Sequence, residues 1–315
     1  MSAWLPAAPC TPQDCGTHDG PRAGAAAAGV RLVTGIAVVL AGVLLTPLVA
    51  LLGATVRDRL TRRWARTVLR AFGLRVRVTG EPEPRRGPGV LVVANHISWL
   101  DIPLLAAVLP GRMLAKSEIR RWPVLGALAA RGGTLFVERE RLRALPGTVR
   151  SLSAALSAGS RVVVFPEAVT WCGREQGRFT TAVFQAALDA GTAVRPVHLA
   201  FRAPDGRLSG APAFVGDDTL PASLWRVAAA GGLTAEITVL PLIPAGRHTD
   251  RRALARAAEK TVARTAVART AAQTPAARTA AQTTVASDSA KRPASSVHQC
   301  VNVIPADASS ARTPS

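Results

Sequence analysis

Three kinds of side chain are scarce in this chain of 315 residues: aromatic, acidic and sulfhydryl. Aromatic residues make up 4% of it, no strand-like run carries the aromatics that stack RNA bases, and no spacing matches a zinc finger. No nucleic acid is therefore expected as a partner. The 20 acidic residues face 39 basic ones, giving a formal charge of +19. This balance favours membrane lipids with anionic head groups, or a phosphorylated acyl carrier, as partners.

The cysteines are few, and their spacing is not that of a metal site. Cys10, Cys15, Cys172 and Cys300 are scattered over the two ends and the middle of the chain, with no C-x-x-C pair and no credible zinc set. Nothing beside Cys172 in the sequence would activate its thiol. A G-x-S-x-G nucleophile elbow is also missing. We therefore expect no metal site among the cysteines and no nucleophile supplied by the chain.

One long apolar run stands out. Residues 32–56 are 25 residues without a charge, which as a helix would be about 37 Å long, enough to cross a hydrocarbon core of about 30 Å. Six arginines follow between positions 57 and 70, against Arg22 and Arg31 before it. This asymmetry predicts a cell-membrane protein whose catalytic domain lies on the cytoplasmic face. Pro47 leaves a second arrangement open, a kinked hairpin that enters only one leaflet.

Composition divides the chain into four parts. Residues 1–31 are rich in Ala, Gly and Pro, which predicts a disordered segment. Residues 32–72 join the apolar run to an arginine-rich amphipathic stretch that is expected to lie on anionic lipid, although a helix packed on the domain has the same pattern. Residues 73–260 form the expected globular domain. Residues 261–315, which repeat ARTAAQT, are typical of a low-complexity basic tail.

Within the third part, apolar strand-like runs alternate with helical patterns. This alternation predicts an α/β fold, a layered sheet flanked by helices, with an N-terminal membrane helix and a disordered C-terminal tail outside it. Ligand sites in such sheets lie where strands end and loops begin. The expected strands are 75–79, 90–94, 112–115, 134–138, 161–165, 194–199 and 236–240, and the expected helices lie near 101–108, 119–130, 144–158, 180–190 and 249–262.

The segment LVVANHISWLD, residues 91–101, places His96 five residues before Asp101, where an apolar strand gives way to a polar turn. A histidine can take a proton from a hydroxyl near neutral pH if its ring is held in one direction, and a buried carboxylate can hold it. Because the chain lacks a nucleophile, the pair predicts transfer between two bound substrates, one of which supplies the hydroxyl. The plainer interpretation of Asp101 is a helix N-cap, since Pro103 follows closely.

Three further segments follow in order. A basic turn and a short helix beginning near residue 115 lead to Gly133 and then to a strand that ends at Arg139, whose planar guanidinium suits a phosphate. The run RVVVFPEAVTWCG, residues 161–173, passes from an apolar strand into a polar turn. The last segment, residues 193–201, is an apolar strand interrupted by Pro196.

These residues resemble the four ordered motifs of the bacterial 1-acyl-sn-glycerol-3-phosphate acyltransferases, a family of lysophospholipid acyltransferases. The likeness covers roughly residues 76–244 and includes NHISWLD, the block from Gly133 to Arg139, the FPE block and the strand with Pro196. It extends to the connectors between the motifs, at Lys116, Glu118, Trp122, Pro123 and Gly126. The resemblance makes residues 73–260 an acyltransferase domain.

The resemblance implies a reaction and a role for each motif. A fatty acyl group would pass from an acyl thioester, acyl-CoA or acyl carrier protein, to the free hydroxyl of 1-acylglycerol-3-phosphate, giving phosphatidic acid in phospholipid biosynthesis. No cofactor or metal would be needed beyond the donor substrate, and the oligomeric state is left unknown. His96 would be the general base, and Asp101 would orient its ring. Arg139 would bind the acceptor phosphate, Glu167 would shape the acceptor site, and Lys116 would add positive charge. The remaining substrate-binding residues would be Gly133, Pro166 and Thr170.

The third motif departs from the family's pattern. Members commonly read F-P-E-G-T, whereas in this chain Glu167 is followed by Ala168, Val169 and Thr170. Glycine allows a positive φ and close backbone approach, which alanine does less readily. Three alternatives stay open. Thr170 takes the role of the motif's threonine from one position later in the chain, the acceptor is another lysolipid such as a lyso-aminolipid, or the chain is a non-catalytic lipid-binding relative.

Overall fold

A computed structural model describes residues 6–80, 89–121, 126, 129, 132–138 and 141–271 of the chain. Seven strands among these residues form a single sheet. They are β1 Arg75–Thr79, β2 Val90–Ala94, β3 Arg112–Lys116, β4 Leu135–Val137, β5 Arg161–Val164, β6 Ala193–Arg202 and β7 Thr234–Val239. Their order across the sheet is β1-β7-β6-β2-β5-β3-β4. All seven strands expected from the sequence are present, with ends shifted by a few residues.

Neighbouring strands are parallel except β6 and β7, which run antiparallel. In the centre, Val93 of β2 lies opposite Val164 of β5 on one side and Pro196 of β6 on the other. Because these strands run the same way, the carboxyl ends of β2, β5, β3 and β4 meet at one edge of the sheet. The motifs that follow those strands in the sequence therefore open onto the same edge.

Within the described residues, the helices whose bounds are fully described are α1 Pro12–Cys15, α2 Ala25–Ala50, α3 Ala54–Ala71, α4 Asp101–Val108, α5 Leu145–Ser157, α6 Ala182–Asp189, α7 Leu220–Ala229 and α8 Arg251–Ala271, with short 3₁₀ helices at Ser117–Arg121 and Leu142–Ala144. They cover both faces of the sheet. Val90, Val92 and Ala94 face a core that includes α3, α4 and α7, whereas Leu91 and Val93 face one that includes α5, α6 and α8. A strand buried on both faces is apolar throughout, as VLVVA is. The predicted layered α/β fold is confirmed.

The N-terminal segment differs from the predicted disorder of residues 1–31. Residues 6–24 lie against the domain, and their backbone groups bond to distant loops: Gly210 N–H donates to Thr17 O at 3.0 Å, and Gly231 N–H donates to Pro21 O at 2.7 Å. Composition predicted disorder because Ala, Gly and Pro bury little apolar surface. Here, backbone hydrogen bonds to partners remote in sequence hold the segment in place instead.

The C-terminal boundary also differs from the predicted one at residue 260. Helix α8 continues to Ala271 and remains packed, since Val262 is fully buried. Near its end, the Arg269 guanidinium donates to Glu236 at 3.3 Å and to Thr79 at 2.6 Å. The ion pair and the buried valine extend the domain beyond the point where the composition changes. Residues 272–315, to which the predicted flexible tail belongs, lie outside the described residues.

Helices α2 and α3 form an antiparallel hairpin rather than one continuous apolar helix over residues 32–56. The chain reverses between Ala50 and Ala54, and the Trp64 indole N–H of α3 donates to Val38 O of α2 at 2.9 Å. The helices approach closely because Gly42 has no side chain, and a Cβ there would overlap the Trp64 ring. The apolar face of the carboxyl half of α3 packs on the domain through Val68, so that face is not the lipid-facing surface expected for the amphipathic stretch.

Helix α7 was not expected from the sequence. Its buried side chains are Ser223, Val227 and Ala228, and Leu224 packs against the same core. The helix predicted near 119–130 can be compared with the structure only in part. A 3₁₀ helix covers Ser117–Arg121 and Gly126 and Ala129 are helical, but most of the predicted span, including Trp122 and Pro123, lies outside the described residues.

Candidate active site

His96 and Asp101 face each other directly beyond the carboxyl end of β2. The imidazole Nδ1 lies 2.8 Å from Asp101 Oδ2, and the His96 side chain keeps 20% of its surface exposed while Asp101 is fully buried. With Nδ1–H donating to the carboxylate, the lone pair of Nε2 is left to face a substrate. The structure thus brings the predicted pair together in a geometry that suits general-base chemistry.

The Asp101 carboxylate turns back along the chain instead of capping the helix that it begins. Oδ2 accepts hydrogen bonds from the backbone N–H groups of Ile97 at 2.6 Å and Ser98 at 2.8 Å. The N-cap position is occupied by Leu100, without a side-chain cap bond. The N-cap interpretation of Asp101 is therefore wrong. The N–H groups and the imidazole share one carboxylate oxygen, which fixes the position of the ring relative to its own backbone.

Two further residues hold the turn. Asn95, buried at the end of β2, exchanges two hydrogen bonds with the backbone of Leu199 in β6, at 3.0 and 2.8 Å. Phe165, the residue after β5, stacks on the His96 ring with centroids 4.0 Å apart and planes 12° from parallel. Neither was a predicted site residue. The signal for Asn95 was present, because a lone amide at the end of a buried apolar strand needs partners for its polar groups.

Glu167 lies beneath the histidine, with both carboxylate oxygens bonded to backbone. Oε2 accepts from His96 N–H at 2.7 Å and Oε1 accepts from Gly177 N–H at 3.0 Å. The side chain is 1% exposed, and this burial raises its pKa to about 8 in spite of the two hydrogen bonds, which favour the ionised form. Glu167 therefore shapes the site by holding the His96 backbone, and contact with an acceptor stays a prediction.

The altered third motif keeps the backbone shape of a glycine. Ala168, at the position where the family commonly has glycine, has φ = 65° and is the one residue other than glycine with positive φ within the described part of the chain. Ala168 is among the residues that line the depression containing His96. An L-residue in this conformation costs on the order of 1 kcal/mol. The sequence change thus adds a methyl group and strain at a position whose φ glycine would adopt without steric cost.

Thr170 is part of the framework of this loop. Its hydroxyl donates to the carbonyl of Phe214, whose own N–H donates to Ile97 O at 3.0 Å. In addition, Trp171 N–H donates to His96 O at 2.8 Å. The loop after β5 is therefore tied on both sides to the turn that carries the histidine. The proposal that Thr170 binds a substrate phosphate one position later stays a prediction.

The other predicted substrate-binding residues are distributed around this edge. Lys116 is the exposed last residue of β3, next to Val137 of β4 in the sheet register. Pro166 is buried, and its carbonyl accepts from the Thr180 hydroxyl at 2.8 Å. Gly133 instead precedes β4, at the amino end of that strand, with φ = 72°. The structure therefore does not bring Gly133 to the strand edge that holds His96, and Arg139 lies outside the described residues.

A wide open depression extends along the protein from the histidine to the helical hairpin, and also reaches the amino end of β2 at Val90. Its wall near the site includes His96 and Phe165, and its wall at the hairpin includes Leu40 of α2 and Trp64 of α3. One continuous space therefore connects a candidate base with an apolar surface. Such a space suits a substrate that has both a reactive polar head and long apolar chains.

Comparison with known proteins gives the family. A family model described as acyltransferase matches residues 75–200. A 1-acyl-sn-glycerol-3-phosphate acyltransferase of Neisseria meningitidis serogroup B is 37% identical over 206 residues, which are 65% of this chain and 80% of that protein. The chain belongs to this family of lysophospholipid O-acyltransferases. A lyso-ornithine lipid O-acyltransferase of Pseudomonas aeruginosa is similarly close, 39% identical over 210 residues, covering 65% of this chain and 78% of that protein.

The fold of this acyltransferase agrees with a solved structure. The crystal structure of the 1-acyl-sn-glycerophosphate acyltransferase from Thermotoga maritima matches with a TM-score of 0.54 at 18% identity, over 75% of this chain and 96% of the other. The resemblance stated from the sequence motifs is thereby confirmed for family and fold. The sequence relatives differ in the acceptor that their names give, so family membership leaves the acceptor to be argued from the site.

Proposed function

We propose that this acyltransferase transfers a fatty acyl group from an acyl thioester to the free hydroxyl of 1-acylglycerol-3-phosphate, giving phosphatidic acid. The observation that carries the proposal is the His96–Asp101 pair, 2.8 Å apart and facing a cavity that continues to an apolar hairpin. The donor is a thioester of coenzyme A or of acyl carrier protein, and its chemistry requires no metal or redox cofactor.

The reaction follows from the orientation of the ring. His96 Nε2 takes the proton of the acceptor hydroxyl as that oxygen attacks the thioester carbonyl, and Asp101 stabilises the imidazolium that forms. The C–S bond then breaks, and the proton on Nε2 passes to the departing thiolate. Phe165 and Glu167 keep the ring in place through the stack and the backbone bond. Lys116 and Arg139 are proposed to supply positive charge for the acceptor phosphate.

The acceptor has a second candidate, a lyso-ornithine lipid. It is favoured by the similarity to the Pseudomonas aeruginosa protein of that name and by Ala168, which lines the cavity at a position where family members commonly have glycine. The hydroxyl chemistry at His96 would be the same for both acceptors. Only the contacts with the head group would differ, since an ornithine head carries an amine and a carboxylate in place of a phosphate.

The test is an acyl-transfer assay with the full-length protein in lipid nanodiscs. The protein would be given one isotope-labelled acyl-CoA or, in parallel reactions, the corresponding acyl carrier protein thioester. Each donor would be tested with 1-acylglycerol-3-phosphate and with a lyso-ornithine lipid as acceptor. Labelled phosphatidic acid supports the proposal, and label that enters only the ornithine lipid selects the second candidate. If neither acceptor gains label above the level of a His96→Ala preparation with either donor, the proposed activity is wrong.

We further propose that the α2–α3 hairpin inserts its tip into one leaflet of the membrane. Helix α2 is the one helix in the described part of the chain that is long and apolar enough to cross a membrane. Near its carboxyl end Leu44, Leu48 and Leu51 are 77%, 62% and 84% exposed. Near its amino end, however, Arg31 donates to the carbonyls of Ala228 and Ala230 at 3.1 Å, which ties that end to the domain.

Insertion of the tip alone agrees better with the charges than a full crossing. A crossing by α2 would carry the neighbouring arginines of α3 into hydrocarbon, which is costly. The arginines instead suit the anionic head-group layer, with the catalytic domain on the cytoplasmic side. In a vesicle sedimentation assay, Leu48→Asp with Leu51→Asp should weaken binding at least tenfold, whereas Val267→Asp, a similarly exposed aliphatic position on α8, should not. Unchanged binding of the double variant would contradict tip insertion.

A further inference from the structure

Three cysteines that are distant in sequence meet beside the catalytic loop. The sulfur atoms of Cys10, Cys15 and Cys172 all lie within 4.8 Å of one another. Cys10 and Cys172 are buried and Cys15 is half-buried. The sequence predicted scattered cysteines and no metal site, because Cys172 is far from the other two along the chain. The folded N-terminal segment brings the three together.

The N-terminal pair is presented by a short, well-tied scaffold. Cys10 precedes helix α1 and Cys15 is its last residue, with Cys15 N–H donating to Thr11 O at 3.0 Å. The segment is locked against the domain at Gly210, where any side chain would overlap the carbonyl oxygen of Cys15. Position 210 therefore requires a residue without a Cβ for this docking. The two thiols are held toward Cys172 by contacts that do not involve sulfur.

Cys172 lies at a sharp turn in the loop after β5. Gly173, the next residue, has φ = 83°, a conformation that glycine adopts without steric cost. The turn leaves the Cys172 side chain buried, with its sulfur within 4.8 Å of the sulfur atoms of Cys10 and Cys15.

We propose that Cys10, Cys15 and Cys172 bind a zinc ion that fastens the N-terminal segment to the catalytic loop. Tetrahedral zinc with bonds of about 2.3 Å places its sulfur ligands roughly 3.8 Å apart, so the observed cluster needs shifts of about 1 Å or less. Three thiolates leave a fourth position for water or another small ligand. Soft sulfur ligands select zinc over magnesium or calcium. A disulfide, by contrast, would join two of the sulfurs and leave the third without a role.

The position of the cluster gives the zinc a consequence for the active site. Cys172 follows Trp171, whose N–H donates to His96 O at 2.8 Å, and Thr170, which is bonded to Phe214. On the other side, the segment with Cys10 and Cys15 leads into α2, the first helix of the hairpin. The ion therefore links the loop beneath the catalytic turn to the base of the hairpin, independently of which acceptor the enzyme uses.

The first test is the metal content of the full-length protein, purified under reducing conditions in detergent and measured by mass spectrometry. The wild type should hold about one zinc per chain, and Cys172→Ser should hold at most about a tenth of that amount. Cys300→Ser is the matched control, because this fourth cysteine lies in sequence far beyond the cluster, and it should keep its zinc. If Cys172→Ser does not fold, Cys15→Ser, at the half-buried position, replaces it in the same measurement.

The second test uses cobalt as a spectroscopic probe in protein stripped with a chelator. Wild type and Cys300→Ser should show thiolate-to-cobalt charge-transfer absorption that zinc abolishes, and Cys15→Ser should show it weakly. Added zinc should also protect three thiols of the wild type from maleimide. A wild type that takes up neither metal, or whose intact mass shows a disulfide within the cluster under reducing purification, would overturn the proposal.

Discussion

Two loops meet at His96, and they contribute in different ways. The turn after β2, from Asn95 to Asp101, carries the ring, its carboxylate and the N–H groups that hold the carboxylate. The loop after β5, which begins at Phe165, supplies a stacked ring on one face of the histidine and the Glu167 carboxylate beneath its backbone. The first loop holds the reactive group, and the second determines where that group can move and what can reach it.

The comparison shows that one histidine depends on two buried acids that hold it in different ways. Asp101 accepts three hydrogen bonds at one oxygen, one of them from the imidazole that it orients. Glu167 has one backbone partner at each oxygen, and its burial raises its pKa to about 8. A change in the first loop should therefore affect chemistry, whereas a change in the second should affect stability and substrate fit.

The largest effect is expected at the ring itself. His96→Ala should lower kcat on the order of 10³-fold, because a positioned general base contributes about 10²–10⁴-fold. The fold should persist, since the ring is partly exposed and the backbone bonds of residue 96 remain. The measurement is steady-state acyl transfer together with the midpoint of thermal unfolding. His248→Ala serves as the control and should retain full activity, and wild-type turnover in His96→Ala would refute the assignment.

A smaller loss is expected when the orienting acid becomes neutral. Asp101→Asn should lower kcat by about 10²-fold or more while the KM for the acyl donor changes little, because the amide cannot stabilise an imidazolium. Its oxygen can still accept from Ile97 or Ser98, so the turn should survive. The separation of kcat from KM is the measurement. A variant that loses donor binding instead would make Asp101 a framework residue.

Glu167 offers a test of the second loop through pH. Between pH 4.5, the ordinary pKa of a glutamate, and about pH 8, the Glu167 carboxyl is protonated in the folded chain and ionised in the unfolded chain. Because the folded state binds the extra proton, the free energy of unfolding falls as pH rises through that range. Glu167→Gln lacks this dependence. The variant should be less stable than wild type by about 1–3 kcal/mol at pH 5, because an amide oxygen replaces one of two acceptors.

The difference between the two proteins should then narrow as pH approaches 8. The measurement is chemical unfolding of wild type and Glu167→Gln at several pH values from 5 to 8.5. Glu138→Gln, an exposed glutamate on the same edge of the sheet, should leave the pH dependence of the wild type unchanged. A constant difference between wild type and Glu167→Gln across this range would show that the Glu167 pKa is not raised.

The smallest effect is expected at the strained position of the second loop. Ala168→Gly should raise the free energy of unfolding by about 1 kcal/mol, because glycine adopts φ = 65° without steric cost. Ala222→Gly, at an exposed position within α7, should lower it by about as much, since glycine disfavours a helix. Chemical denaturation of the two variants gives both numbers. Equal destabilisation by both would mean that Ala168 is not strained.

What the sequence could predict was local in the chain. The strands were predictable because each is a short apolar run of about five or six residues. The pairing of His96 with Asp101 was predictable because both residues lie in one turn. Glu167 under the His96 backbone was not, since its two N–H partners are ten and more than seventy positions away. The meeting of Cys10, Cys15 and Cys172 was hidden for the same reason. Such contacts depend on the sheet order and on the docked N-terminal segment.

The phenyl ring of Phe165 lies parallel to the imidazole at 4.0 Å. No atom of a substrate fits between two rings at that separation, so one side of the histidine is closed to any incoming alcohol. The hydroxyl must arrive in the plane of the imidazole or from the opposite side, which restricts the angle at which its oxygen meets the thioester. A flat aromatic neighbour thereby removes one face of the imidazole from the approaches open to a long, flexible lipid.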